Sequence, residues 1–179
     1  SILTITIRAG TSLLYATVGE IITERAGILN LGVEGMMIMG AVSAFAAAFH
    51  TGSAWVGVAV AIAVGGCLAL IHAVLTITLR ADQTVSGLAL TIFGTGLASF
   101  LGQRLGPGGQ PLVGQIGPRF ERIDLPLLSN IPLLGDALFR QDQLVYLMYL
   151  MVPVVWFILY KTRPGLHLRA IGESPHTAD

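Results

Sequence analysis

Six polar residues stand on or beside otherwise apolar segments: Asn30, Glu34, Gln83, Ser86, Thr91 and Thr95. Amide and hydroxyl groups donate and accept hydrogen bonds without carrying charge, which suits recognition of a neutral polar solute rather than bond breaking. A polar group inside an apolar segment is a functional candidate. Serine and threonine hydroxyls also bond neighbouring carbonyls and hold helices together, so both readings stay open for each of them. His50 and His72 lie near segment ends and read as interfacial or packed side chains rather than catalytic ones. The patterns of covalent catalysis are missing, with no Gly-x-Ser-x-Gly elbow and no His-Glu-x-x-His helix. The chain's lysine, Lys161, follows Tyr160, whereas a Walker A loop needs Gly-Lys-Ser/Thr. ATP dependence would therefore have to come from a partner, and the chain is expected to bind no cofactor or metal and to act as no enzyme. Gly94-Thr-Gly-Leu-Ala-Ser99 loosely echoes a dinucleotide loop, but it follows no strand and reads as packing. The single cysteine, Cys67, excludes an internal disulfide and reads as a small packing residue.

The elements that must position these groups are set by composition. Of 179 residues, 54% are hydrophobic and 11% charged, and the mean hydropathy is +0.76. Soluble domains carry about 25% charged residues, so this chain lacks the polar groups to cover a sphere in water, and lipid removes that need. The fold class predicted is all-α, a polytopic transmembrane helical bundle. A net charge of zero gives no electrostatic argument for nucleic acid. A crossing helix needs about 20 apolar residues. Five segments qualify or nearly do: residues 2–22 (interrupted by Arg8), 36–50, 54–79, 84–101 and 144–160. The first has no basic n-region and leads into Glu20, Glu24 and Arg25 rather than a cleavage site, so it reads as a spanning helix and not a signal peptide.

Residues 36–50 alone would reach only about 23 Å. The preceding stretch, residues 27–35, has three glycines and two polar residues. Two readings remain open for it: an interrupted backbone beside a pathway, or a turn with Asn30 as helix N-cap and Glu34 in the first turn. Small residues recur every four positions as Gly57, Ala61, Gly65, Ala69 and Ala73, as Gly40, Ala44 and Ala48, as Gly94, Ala98 and Gly102, and as Gly87, Thr91, Thr95 and Ser99. Such stripes let helix backbones approach closely in lipid. Pro153 is expected to kink the fifth helix. Residues 103–142 form an unusually long connection whose charges cancel, with an apolar piece at 125–135 expected along the membrane interface. Lys161, Arg163, His167 and Arg169 crowd the end of the last helix, which favours the cytoplasm for the tail after 161. Five crossings then put the N-terminus and the 103–142 loop outside.

Three stretches together resemble one family. Residues 19–37, GEIITERAGILNLGVEGMM, are similar to a signature in the membrane subunits of nucleoside and simple-sugar ABC importers, part of the permease group that also serves ribose and branched-chain amino acids. Residues 82–90, DQTVSGLAL, resemble a second signature, and residues 161–178, KTRPGLHLRAIGESPHTA, the cytoplasmic segment that docks such permeases onto their ATPase. The resemblance implies a transmembrane permease domain over residues 1–179. Its expected partners are two cytoplasmic ATPase subunits, a second permease subunit, an extracytoplasmic substrate-binding lipoprotein and membrane lipid. It implies localisation in the bacterial plasma membrane, with ATP used by the partner subunit and not by this chain. Family permeases carry more helices after the docking segment, so the chain is expected to be the first part of a longer polypeptide.

For docking, the resemblance points to Arg169, Gly172, Glu173, Ser174, Pro175 and Ala178. Independently, Ser174-Pro175 reads as a helix start with proline at its first position, either a lever toward a nucleotide-driven motor or an ordinary loop. The function implied is import of a small polar solute, a nucleoside first. A simple sugar such as ribose is the alternative, ahead of an ion-gradient-driven secondary transporter or channel. Acids and bases cluster near segment ends rather than mid-membrane, which speaks against ion coupling.

Overall fold

A computed structural model describes residues 2–124 and 138–174. The α-helices among them are α1 (Ile2–Arg25), α2 (Val33–Thr51), α3 (Ala54–Ala73), α4 (Gln83–Gly102), α5 (Gln143–Lys161) and α6 (Arg163–Glu173). Helix α3 continues into a π-helical turn, Val74–Thr78. Five of the described helices are long and apolar enough to cross a membrane, with α3 and its π turn counting as one 25-residue rod. The polytopic helical class expected from composition is the class observed. Two three-residue strands, β1 (Arg122–Asp124) and β2 (Arg140–Asp142), add an antiparallel ribbon in the long connection, pairing Ile123 with Gln141. The apolar piece at 125–135 lies outside the described residues.

Helix boundaries follow local chemistry. Asp82 and Asp142 cap α4 and α5, their carboxylates accepting from Val85 N at 2.8 Å and Val145 N at 3.2 Å. Helix α2 starts at Val33, earlier than the expected residue 36, and its 19 residues reach about 28 Å, close to the hydrocarbon thickness. Asn30 is not its cap. Gly32 holds that position with φ −82° and ψ −5°, while Asn30 Oδ1 accepts from Gly32 N at 3.0 Å. The asparagine thus bonds two residues ahead, turning the chain before the helix begins. Glu34 does fall in the first turn of α2. Helix α5 runs through Pro153.

The helix start expected at Ser174-Pro175 runs into residues outside those described. Helix α6 precedes it, capped by Thr162, whose hydroxyl accepts from Gly165 N at 3.3 Å, with Pro164 in the first turn. Ser174 is the residue that ends this helix, its N–H reaching Ala170 O. Pro175 lies outside the described residues.

The chain divides into two compact units, Leu29–Arg119 and a second made of Ser1–Ile28 with Phe120–Asp179. In the first, α2 packs against both α3 and α4, around a core of Met36, Met39, Leu68, Leu90 and Ala98. Two crossings are backbone-close. A Cβ on Gly94 would lie 2.7 Å from Gly35 O, and one on Gly57 2.7 Å from Ala44 O. In lipid such approach gives the dispersion contact that holds helices together. The small stripes are used unevenly: Gly40 meets Ala61, but Gly65 and Gly102 have nothing within 4 Å of an added Cβ.

In the second unit α1 packs on α5 and α6. Arg8, near the start of α1, donates from Nε to Gln141 Oε1 at 3.0 Å and stands 3.7 Å from Asp142 Oδ2. Tyr15 donates to Leu144 O at 2.7 Å. At the other end, Arg25 of α1 lies over Tyr160 of α5. Starts meet and ends meet, so α1 and α5 run parallel. A parallel pair of crossings requires an odd number of crossings between them, and α2, α3 and α4 supply three.

Candidate functional site

Within the Leu29–Arg119 unit, the non-helical residues 29–32 lie against α4 and the end of α3. Four backbone groups of this short stretch find side-chain partners, one of them, Gly32 N, within the stretch itself. Leu29 N donates to Gln83 Oε1 at 2.7 Å. Leu29 O lies 3.3 Å from His72 Nε2, and His72 Nδ1 lies 3.1 Å from Ser86 Oγ. A carbonyl can only accept, so Nε2 donates to Leu29 O, and in a neutral ring Nδ1 accepts from the serine hydroxyl. Thr91 Oγ1 donates to Leu31 O at 2.8 Å. Gly87 permits the approach, since a Cβ there would sit 2.8 Å from Leu31 N. Irregular backbone among apolar helices needs protein or water to meet its polar groups, and here side chains of α3 and α4 meet three of them.

Four of the six polar candidates therefore converge on one feature, Asn30, Gln83 and Thr91 bonding its backbone directly and Ser86 through His72. Glu34 is exposed in the first turn of α2. Thr95 is exposed and donates back to Thr91 O at 2.8 Å, within its own helix. The structure adds His72, 3% exposed and central to the cluster. Its packed character was legible from its place near a segment end. Its partners were not, because they lie 14 and 43 residues away.

In the other unit, α6 carries most of the docking candidates. Gly172 rests on the end of α1, and a Cβ there would overlap the Arg25 carbonyl oxygen and come within 3.1 Å of Gly27 N. Gly27 itself has φ +82°, a left-handed turn that glycine adopts without strain. Gly165 sits equally close to the Ile158 and Leu159 carbonyls, allowing the chain to fold back directly from α5. Arg169 stacks on Tyr160 at 5.1 Å. Glu173 is exposed, and Ser174 is half-buried. Ala178, like Pro175, lies outside the described residues.

The sequence matches the family described as branched-chain amino acid transport system / permease component over residues 1–179. It is 45% identical over 99% of its length to a Haloferax volcanii protein named "Putative glucose ABC transporter permease protein TsgC13", covering 53% of that protein. It is 37% identical over 94% of its length to the nucleoside ABC transporter permease protein of Lactococcus lactis subsp. cremoris, covering 55%. With the guanosine ABC transporter permease protein of Bacillus subtilis it shares 33% identity over 93% of its length, covering 54%. The chain spans about half the length of the curated relatives it matches. No solved structure matches it.

Proposed function

The chain belongs to the family of branched-chain amino acid transport system permease components, and from that premise we propose that it forms part of the membrane subunit of an ATP-binding-cassette importer. The solute is small, polar and uncharged, a nucleoside in the first reading. The chain supplies helices and a docking surface, and a separate cytoplasmic ATPase supplies the energy. A second permease subunit completes the pathway and an extracytoplasmic binding lipoprotein delivers the solute. The single observation that carries this reading is a family match running the whole length of the chain.

Mechanistically, α6 is the docking element, placed in the cytoplasm by the basic crowd at 161–169. ATPase closure pushes on its exposed residues, with Glu173 and the adjoining 174–178 segment as the gripped part. Gly172 passes the push to the end of α1 through backbone contact that leaves no flexible side chain to absorb it. Residues 29–32 are the second working part, an interrupted stretch beside the pathway, held in register by Gln83, His72, Ser86 and Thr91. Asn30 sets its turn, and Glu34 and Thr95 offer their polar groups to the solute.

A simple sugar is the second reading, favoured by the 45% identity to the protein named for glucose. Uptake of labelled guanosine, uridine, glucose and ribose by cells expressing the full transporter separates the two. Saturable uptake of a nucleoside, undiminished by excess sugar, is the expected result. Uptake of sugar alone replaces the first reading with the second, and uptake of neither removes both.

A further inference from the structure

Where α1 and α5 end together, they line an open cavity of about 350 Å³ with Val18 and Val155 beside Glu24, Arg25, Trp156 and Tyr160. Its size falls in the range of small-molecule sites. Arg25 lines it, and two more cations lie against its aromatic lining residues: Arg25 lies 5.8 Å and Arg169 5.1 Å from the Tyr160 ring centroid, and Lys161 lies 5.8 Å from that of Trp156. Among the described residues none of the three has a carboxylate within 4.0 Å, and Arg8 pairs with Asp142 at the opposite end. Arg169 Nε is shut off from solvent and has no acceptor among the described residues.

We propose that this cavity binds an anionic phospholipid, its phosphate at Arg25 and Lys161 and its upper acyl chain along the valine-lined wall. The chemistry is matched on both sides. Three cations with no carboxylate within 4.0 Å among the described residues leave net positive charge beside a lining that holds one carboxylate, Glu24. Tryptophan and tyrosine mark the level where headgroups meet hydrocarbon. Basic pockets between transmembrane helices are the sites that take anionic headgroups, each cation adding about fivefold in affinity near the surface. A zwitterionic lipid offers the same chain but no net charge, so the site discriminates by headgroup.

The test uses the full-length polypeptide containing this chain, purified in mild detergent and titrated with phosphatidylglycerol or phosphatidylcholine of identical chains, with bound lipid read by native mass spectrometry. Wild type should retain phosphatidylglycerol preferentially, and excess inorganic phosphate should not displace it. Lys161→Gln, on an exposed side chain at a helix end, should reduce the preference about fivefold, and Arg25→Gln combined with it should abolish the preference. Val155→Trp keeps every charge but fills the cavity, and should lower retention of both lipids. Equal retention of the two lipids, unchanged preference in Lys161→Gln, or full retention in Val155→Trp would each overturn the proposal. So would absence of bound lipid from wild type, the result expected if a later segment of the polypeptide fills the groove.

Discussion

Gly35 and Gly94 touch backbone to backbone where α2 crosses α4, and neither neighbour is a side chain that could swing aside. Gly94→Ala should therefore cost about 1–3 kcal/mol by overpacking, seen as a lowered unfolding midpoint in detergent. Gly96→Ala, two positions along the same helix with open space around it, should be neutral or slightly stabilising. Equal midpoints for the two variants would contradict the packing assignment. His72→Ala should cost about 1–3 kcal/mol, because it strips the partner from the buried Ser86 hydroxyl; a variant as stable as wild type would show that His72 holds nothing. The small-residue spacing on α4 was visible in the sequence, and Gly94 with Ala98 proved the buried half of it. Its partner Gly35 lay in the irregular 27–35 stretch, where no helical period marks which glycine meets a neighbouring helix. The four convergent polar candidates were legible as polar groups in apolar surroundings, yet the backbone they serve was not, since hydrogen-bond partners 54 and 60 residues apart leave no local trace.

Element boundaries separate into those written by caps and those decided by tertiary contact. Asp82 and Asp142 are the expected type of N-cap, and the helices begin directly after them. Asn30 is the same kind of residue, but its short side chain closes a turn on Gly32 instead, so the helix start shifts. The Thr162-Arg163-Pro164 signal, twelve residues before Ser174, carries a cap and a first-turn proline and opens α6, while the start read at Ser174-Pro175 runs into residues outside those described. The consequence for mechanism is that the candidate docking helix α6 ends at Glu173, with Ser174 closing it. Gly172→Val should push α6 off the α1 end, since its side chain would occupy the Arg25 carbonyl position. In reconstituted transporter the expected outcome is retained ATP hydrolysis with transport reduced at least tenfold. Transport and hydrolysis falling in proportion would assign Gly172 a merely structural part. Thr162→Ala removes the α6 cap and should cost about 1 kcal/mol, detectable as faster amide exchange over Arg163–Leu166.

At the scale of the whole molecule, the parallel pairing of α1 with α5 and the three crossings between them form one consistent topology. Apolar run lengths pointed to about five crossings, and five of the described helices are long and apolar enough to be crossings; charge counting alone left the sidedness weakly determined, because lysines and arginines are nearly balanced across the ends. On the proposed orientation, in a Cys67→Ala background, a cysteine placed by Gln110→Cys should react in intact cells with a membrane-impermeant maleimide, and one placed by His167→Cys should react only after permeabilisation. The reverse pattern would invert the orientation. The central claim is that motion reaches these helices from a separate motor, with no ion gradient and no chemistry of their own. Solute accumulation in proteoliposomes holding the full-length permease, its ATPase and its binding protein measures this directly. Accumulation should require ATP and the ATPase and persist when ionophores collapse every gradient. Accumulation without the ATPase, driven by a proton or sodium gradient, would contradict the account.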